Sequence, residues 1–116
     1  MNQKSSIFDY EKFLYRVMGD RETASAVLNA FCNDTPKKIK KLKTALQTGD
    51  KEICERLGHS IKGSARNINA DTLSEIGNAF ETAGRENTLD SIGKRLSELE
   101  STMERTVTEI RNFLDD

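Results

Sequence analysis

The stretch from Asp50 to Ile68 reads DKEICERLGHSIKGSARNI. Ile53, Leu57, Ile61, Ala65 and Ile68 recur along it at helical steps, which predicts an α-helix from about Asp50 to Asn67. Gly49-Asp50 supplies the stop signal for the preceding segment. At about 100° per residue, the five apolar residues fall within roughly one third of the circle. His59 lies about 180° from the middle of that arc, pointing away from a core. Glu55, Lys62, Gly63 and Arg66 share its outer side at the spacings that touch on a helix surface.

Working outward, the same spacing recurs on both sides, and no β-branched run alternates as a strand would. A short helix is expected from about Phe8 to Met18, ended by Gly19-Asp20, with Asp20 free to cap the next helix. That next helix carries Val27, Leu28, Phe31, Ile39, Leu42 and Leu46 as one stripe, with a lysine-rich solvated face around Lys37 to Lys43. Pro36 interrupts it, so either the helix kinks there or Thr35 caps a new segment with Pro36 in first position. Asn67 to Ala70 reads as a tight connection. A fourth helix holds Leu73, Ile76, Phe80 and Ala83, with Gly84 as its end. The last runs from about Thr88 to Leu114 on Leu89, Ile92, Leu96, Leu99, Met103, Val107, Ile110 and Phe113. Four amphipathic helices with short links give an all-α fold: an antiparallel four-helix bundle with a short additional N-terminal helix. Residues 1–6 are expected to be a disordered N-terminus and 7–116 one domain.

Composition narrows the function. With 116 residues, the chain has room for a single core. Its 18 basic and 19 acidic residues leave a net charge of −1, which argues against a nucleic-acid binder. Mean hydropathy is −0.65, and no apolar run approaches the length of a membrane span. The polar first residues lack the apolar stretch of a signal peptide. Cys32 and Cys54 are too few for a disulfide framework and lie beside apolar stripes, where packing is their expected role. The expected compartment is the cytoplasm. No phosphate-cradling glycine motif and no nucleophile elbow is present.

His59 is the single histidine. A neutral imidazole nitrogen is a good nucleophile near neutral pH and attacks a phosphoryl group without a general base. Phosphoryl transfer then asks mainly for positioning and charge neutralisation. Lys62 supplies a positive charge one turn along, and Arg66 can steer an acidic partner. Gly58 and Gly63 flank His59, each costing about 1 kcal/mol relative to alanine, and room for an approaching partner is one explanation. Glu55 can pair with a base or hydrogen-bond His59; Glu81 can form a weak surface pair. Phe31 and Phe80 are expected in the core. Phe8 and Phe13 cover the bundle end or form part of a docking patch. Read as residues alone, an exposed histidine on a charged helix is equally compatible with plain surface.

The run His59-Ser60-Ile61-Lys62-Gly63-Ser64-Ala65 resembles the signature of histidine-containing phosphotransfer (HPt) domains, His-x-Leu-Lys-Gly followed by small residues. Downstream, Ala70, Leu73, Phe80-Glu81 and Gly84-Arg85 are similar to the family pattern. Upstream, so are Phe31, Leu42, Ala45-Leu46 and Asp50. The resemblance spans about Phe8 to Leu114. It implies a phosphorelay intermediate that takes a phosphoryl group from one receiver-domain aspartate and passes it to another. His59 would then be the phosphoacceptor through Nε2, Lys62 would meet the phosphoryl oxygens, and Gly63 would leave space for the receiver. Glu55 and Arg66 would contact the partner. The receiver, from a response regulator or hybrid sensor kinase, would bring the Mg²⁺, so the chain would need no metal or cofactor of its own. Two positions depart from the pattern: Asn69 stands where glycine is usual, and Gly58 where alanine is common.

This reading makes the chain a carrier without autokinase or ATPase activity, not an enzyme in its own right. It makes it a monomer, because a closed bundle uses the last stripe internally. Three other readings compete. A phosphoacceptor domain of a chemotaxis-type histidine kinase would be phosphorylated by an attached ATP-binding domain. A helical adaptor without phosphorylation would tolerate His59→Gln silently. Dimerisation through the last helix would need an exposed apolar seam.

Overall fold

The computed structural model of the chain describes residues 6–115. Of the expected disordered stretch 1–6, residues 1–5 lie outside the described residues, while Ser6 O accepts a bond from Thr72 N at 2.9 Å. Helix α1 spans Tyr10–Arg16, α2 Arg21–Thr48, α3 Lys51–Asn67, α4 Asp71–Glu86, α5 Leu89–Ile92 and α6 Leu96–Leu114. A 3₁₀ turn, Gly93–Arg95, joins α5 to α6. α2 packs on α3, α3 on α4, α4 on α6 and α6 back on α2, which closes the antiparallel four-helix bundle expected from the spacing.

Local chemistry sets the helix ends. Asp9, Asp20 and Asp50 each turn a carboxylate back to amides of the first turn of α1, α2 and α3. Gly49 and Asn87 close α2 and α4 in the left-handed conformation. Asn69 adopts φ 62° in the α3–α4 turn, a left-handed conformation that glycine takes freely and asparagine tolerates better than most residues. The first helix is shorter than expected, because Asp9 caps it and Met18 and Gly19 turn left-handed after it.

One open alternative is decided and three expectations change. α2 runs unbroken through Pro36, and Thr35 is a buried interior residue, not a cap. Leu28 and Phe31 before the proline and Ile39 and Leu42 after it all enter the core, and that packing outweighs one missing amide donor. Val27, expected in this stripe, is exposed. Gly84 lies inside α4 and does not end it. The last segment is not one long helix: the chain tightens into a 3₁₀ turn at Gly93, yet Ile92, Leu99, Met103, Ile110 and Phe113 still reach the core. Because α6 spends this stripe internally, the exposed seam required for dimerisation through it is not there.

Phe8 and Phe13 are buried, so the bundle-end role holds and the docking-patch role does not. Phe8 meets Phe13 at 6.0 Å and Phe113 edge-on at 5.8 Å between ring centroids. Asp9 N donates to Asn69 O at 3.0 Å, which ties the N-terminal segment to the α3–α4 turn. Phe31 and Phe80 are core residues, as expected. Cys54 is buried and Cys32 half-buried; both thiols are free, and burial pushes both up. Among the described residues, no helix is long and apolar enough to cross a membrane.

Candidate functional site

The site forms where α3 crosses α4, and glycines set that crossing. A Cβ on Gly58 would stand 2.8 Å from Glu81 Cα and 2.9 Å from Gly77 O. One on Gly77 would stand 2.9 Å from Lys62 N, and one on Gly84 2.6 Å from Lys51 O. Real Cβ atoms do not pack so closely, so the two backbones meet here only because three side chains are absent. Gly58 is therefore buried between helices. The expectation that it opens space on the outer face is corrected.

This close approach also turns α3. Cys54, Gly58, Ile61, Ala65 and Ile68 form the buried face, while Ile53 is 39% exposed and Leu57 half-buried. The buried arc is rotated about 40° toward α4 from the one expected. His59 consequently stands at the α4 edge of the outer face. Its side chain is 70% exposed.

Nδ1 of His59 lies 3.0 Å from Oε2 of Glu81 on α4. Glu81 Oε1 lies 2.6 Å from Lys62 Nζ, and Lys62 also donates to Asn78 Oδ1 at 3.2 Å. Arg85 Nη1 stands 3.8 Å from Glu81 Oε2. The Glu81 side chain is only 12% exposed. The Lys62 ammonium, and then the contact with His59, hold its carboxyl below the ordinary range against the opposing effect of burial. Glu81 is thus ionised at neutral pH and can only accept. Nδ1 must supply the hydrogen, and in the neutral ring Nε2 carries the free lone pair toward solvent. The ring is held from behind at Nδ1, and most of its surface is open to solvent.

The remaining expected site residues fall as follows. Gly63 is exposed, and a Cβ placed on it would meet nothing within 4 Å. Alone among the four glycines of α3 and α4, it has no packing role. Lys62 shares the site, but its side chain is 19% exposed and held against α4, not free on the outer face. Glu55 does not bond His59; with Glu52, Arg56, His59 and Glu81 it lines a hollow beside the imidazole. Arg66 is exposed beyond Lys62 and Gly63. Glu81, expected to form at most a weak surface pair, is the centre of the cluster. Its signal in the sequence was the glycine pair at 77 and 84, which marks the face of α4 that presses on Gly58.

Comparison with known proteins gives one family and two solved structures of similar fold. The model of the Hpt domain family matches residues 26–112. Histidine-containing phosphotransfer protein B (HptB) from Pseudomonas aeruginosa PAO1 superposes with a TM-score of 0.87 at 19% identity, covering 94% of this chain and 95% of that one. The HPT domain of a sensor hybrid histidine kinase from Shewanella superposes with a TM-score of 0.82 at 16% identity, covering 95% of each chain. At these identities the two likenesses concern the fold. No curated protein matches the chain.

Proposed function

The chain belongs to the Hpt domain family, whose members carry phosphoryl groups in phosphorelays together with receiver domains, and on that premise we propose that His59 is its phosphoacceptor through Nε2. The observation that carries this is the clamped ring: Glu81 takes Nδ1 at 3.0 Å and leaves Nε2 outward on a side chain 70% exposed.

In the forward step, the Nε2 lone pair attacks the phosphorus of a receiver's aspartyl phosphate. The N–P bond forms, the O–P bond breaks, and the aspartate leaves as a carboxylate. Lys62 has three N–H donors, two of them directed at Glu81 and Asn78. The third is available to a phosphoryl oxygen. Arg85, loosely placed at 3.8 Å from Glu81, adds a second positive charge. Gly63 gives the receiver backbone access to the imidazole, since no side chain stands there. Glu55 and Arg66 meet the receiver on opposite sides of His59.

Mg²⁺ arrives with the receiver. The groups around His59 mix Glu52, Glu55 and Glu81 with Arg56, Lys62 and Arg85, and Glu81 is already paired with Lys62, an arrangement poorly suited to a divalent cation. The chain acts as a monomeric carrier without autokinase activity. Its two free thiols support a reducing compartment, the cytoplasm.

The test is transfer from a receiver domain charged with acetyl phosphate, comparing wild type with His59→Gln. The expected result is an acid-labile, alkali-stable label on the wild type alone. Equal labelling of both proteins overturns the assignment, as does a wild type that no receiver charges.

A further inference from the structure

The α2–α3 side of the bundle holds a groove that the reaction at His59 does not use. Ala45 on α2 and Ile53 and Leu57 on α3 form its apolar part, in a space of about 450 Å³. Ile53 is left 39% exposed there, because α3 is turned toward α4. The polar groups along the groove are already spent. The hydroxyls of Thr44 and Thr48 donate to Lys40 O at 3.4 Å and Ala45 O at 3.3 Å. The Asp50 carboxylate accepts from Ile53 N at 3.1 Å. Two charges remain, Lys41 from α2 and Arg56 from α3. Both are exposed, and neither has an ion-pair partner among the described residues.

These cations belong to a wider asymmetry. α2 carries six basic and two acidic residues and α3 four and two, whereas α4 carries one and four. A net charge of −1 thus conceals a positive wall on one side of the bundle. A concave apolar strip with a cation on each rim fits an amphipathic helix whose apolar face is flanked by carboxylates. It does not fit a bilayer, into which an apolar face must project.

Position separates this groove from the transfer step. Ile53 and His59 lie about 120° apart around α3 and about 9 Å apart along it. Arg56 stands between them and lines both the groove and the hollow beside His59. An occupant therefore borders the imidazole without covering it. We propose that the groove is an anchoring site for an acidic amphipathic helix of a partner other than the receiver, one that holds the carrier while His59 stays open. This inference stands apart from the phosphoacceptor assignment.

The test uses the full chain and a fluorescent synthetic peptide of about 18 residues, with leucines at helical spacing flanked by glutamates. A sister peptide with lysines for the glutamates is the control. The glutamate peptide should bind, with amide shifts centred on Ala45, Ile53 and Leu57, and the lysine peptide should bind roughly tenfold more weakly. Ile53→Asp lies in the first turn of α3, where an acid is favoured, and Lys41→Glu changes an exposed side chain. Each should weaken binding roughly tenfold. If Ile53→Asp unfolds, Lys41→Glu decides. Transfer from a charged receiver should proceed with the peptide bound. No binding, equal binding of the two peptides, or binding that the folded variants do not weaken overturns the proposal. So does a bound peptide that blocks transfer, which makes the groove part of the receiver's footprint. Adsorption to phosphatidylglycerol vesicles that Ile53→Asp abolishes overturns it as well, in favour of a membrane. A chain that no receiver charges overturns the phosphoacceptor reading and leaves the binding measurements to decide this one.

Discussion

Gly58 of α3 lies directly against the backbone of Glu81 on α4, so close that a Cβ would stand 2.8 Å from Glu81 Cα. Because His59 follows Gly58 in the chain, this contact brings the Glu81 carboxylate beside the imidazole. The packing of the bundle and the chemistry of the site therefore share one residue. Gly58→Ala should force the helices apart and cost about 1–3 kcal/mol. It should also lengthen the Glu81–His59 contact. Gly63→Ala meets nothing and should stabilise the chain by up to about 1 kcal/mol while slowing transfer from a receiver. Denaturant midpoints and transfer rates on both variants check the pair; equal loss of stability from the two would contradict it.

Lys62→Ala removes a cation whose side chain is 19% exposed and lies 2.6 Å from Glu81. The pair is neither fully solvated nor deeply buried, so a stability loss of about 1–2 kcal/mol is expected. Transfer should fall further than that loss explains, because the third ammonium hydrogen is lost to the phosphoryl group. Single-turnover rates beside urea melts separate the two effects. A stability loss with normal transfer would remove Lys62 from the mechanism.

The local part of the site was legible in the sequence. His59, Lys62 and Gly63 lie on one helix, and their adjacency follows from helical spacing alone. Glu81 was not legible as their partner, because it stands 22 positions away and meets His59 only through the register of α3 on α4. Glycine carried the ambiguity. Gly58, Gly63 and Gly84 look alike in sequence, yet one separates nothing and two let backbones touch. The helices themselves were legible from their apolar stripes, except at Pro36, where the spacing left a kink and a new cap both open and packing on both sides decided the outcome. The break at Gly93 was not, since its neighbours keep the helical period through the 3₁₀ turn.

Glu81 also makes stability depend on acid. Its folded carboxyl is held below the ordinary value of 4.5, chiefly by Lys62. Folding thus favours the ionised form, and the stabilisation is fully present above the unfolded value. It disappears as pH falls through the lowered folded value. Urea midpoints of wild type should therefore drop more steeply than those of Glu81→Gln as pH enters the acid range. Parallel curves would show that Glu81 gains nothing from its partners.

Asn69 holds φ 62° in the α3–α4 turn. Asn69→Gly should leave stability within a few tenths of a kcal/mol, while Asn69→Ala should cost about 1 kcal/mol, since alanine resists the left-handed conformation. Thermal melts of the two variants decide this, and equal melting temperatures would contradict it.

The most direct measurement is phosphorus–nitrogen NMR of the chain after charging by a phosphorylated receiver domain. Phosphorus coupled to Nε2 of His59 is the expected result. Phosphorus on Nδ1, or on any residue other than His59, would contradict the assignment of this ring as the outward-facing phosphoryl carrier.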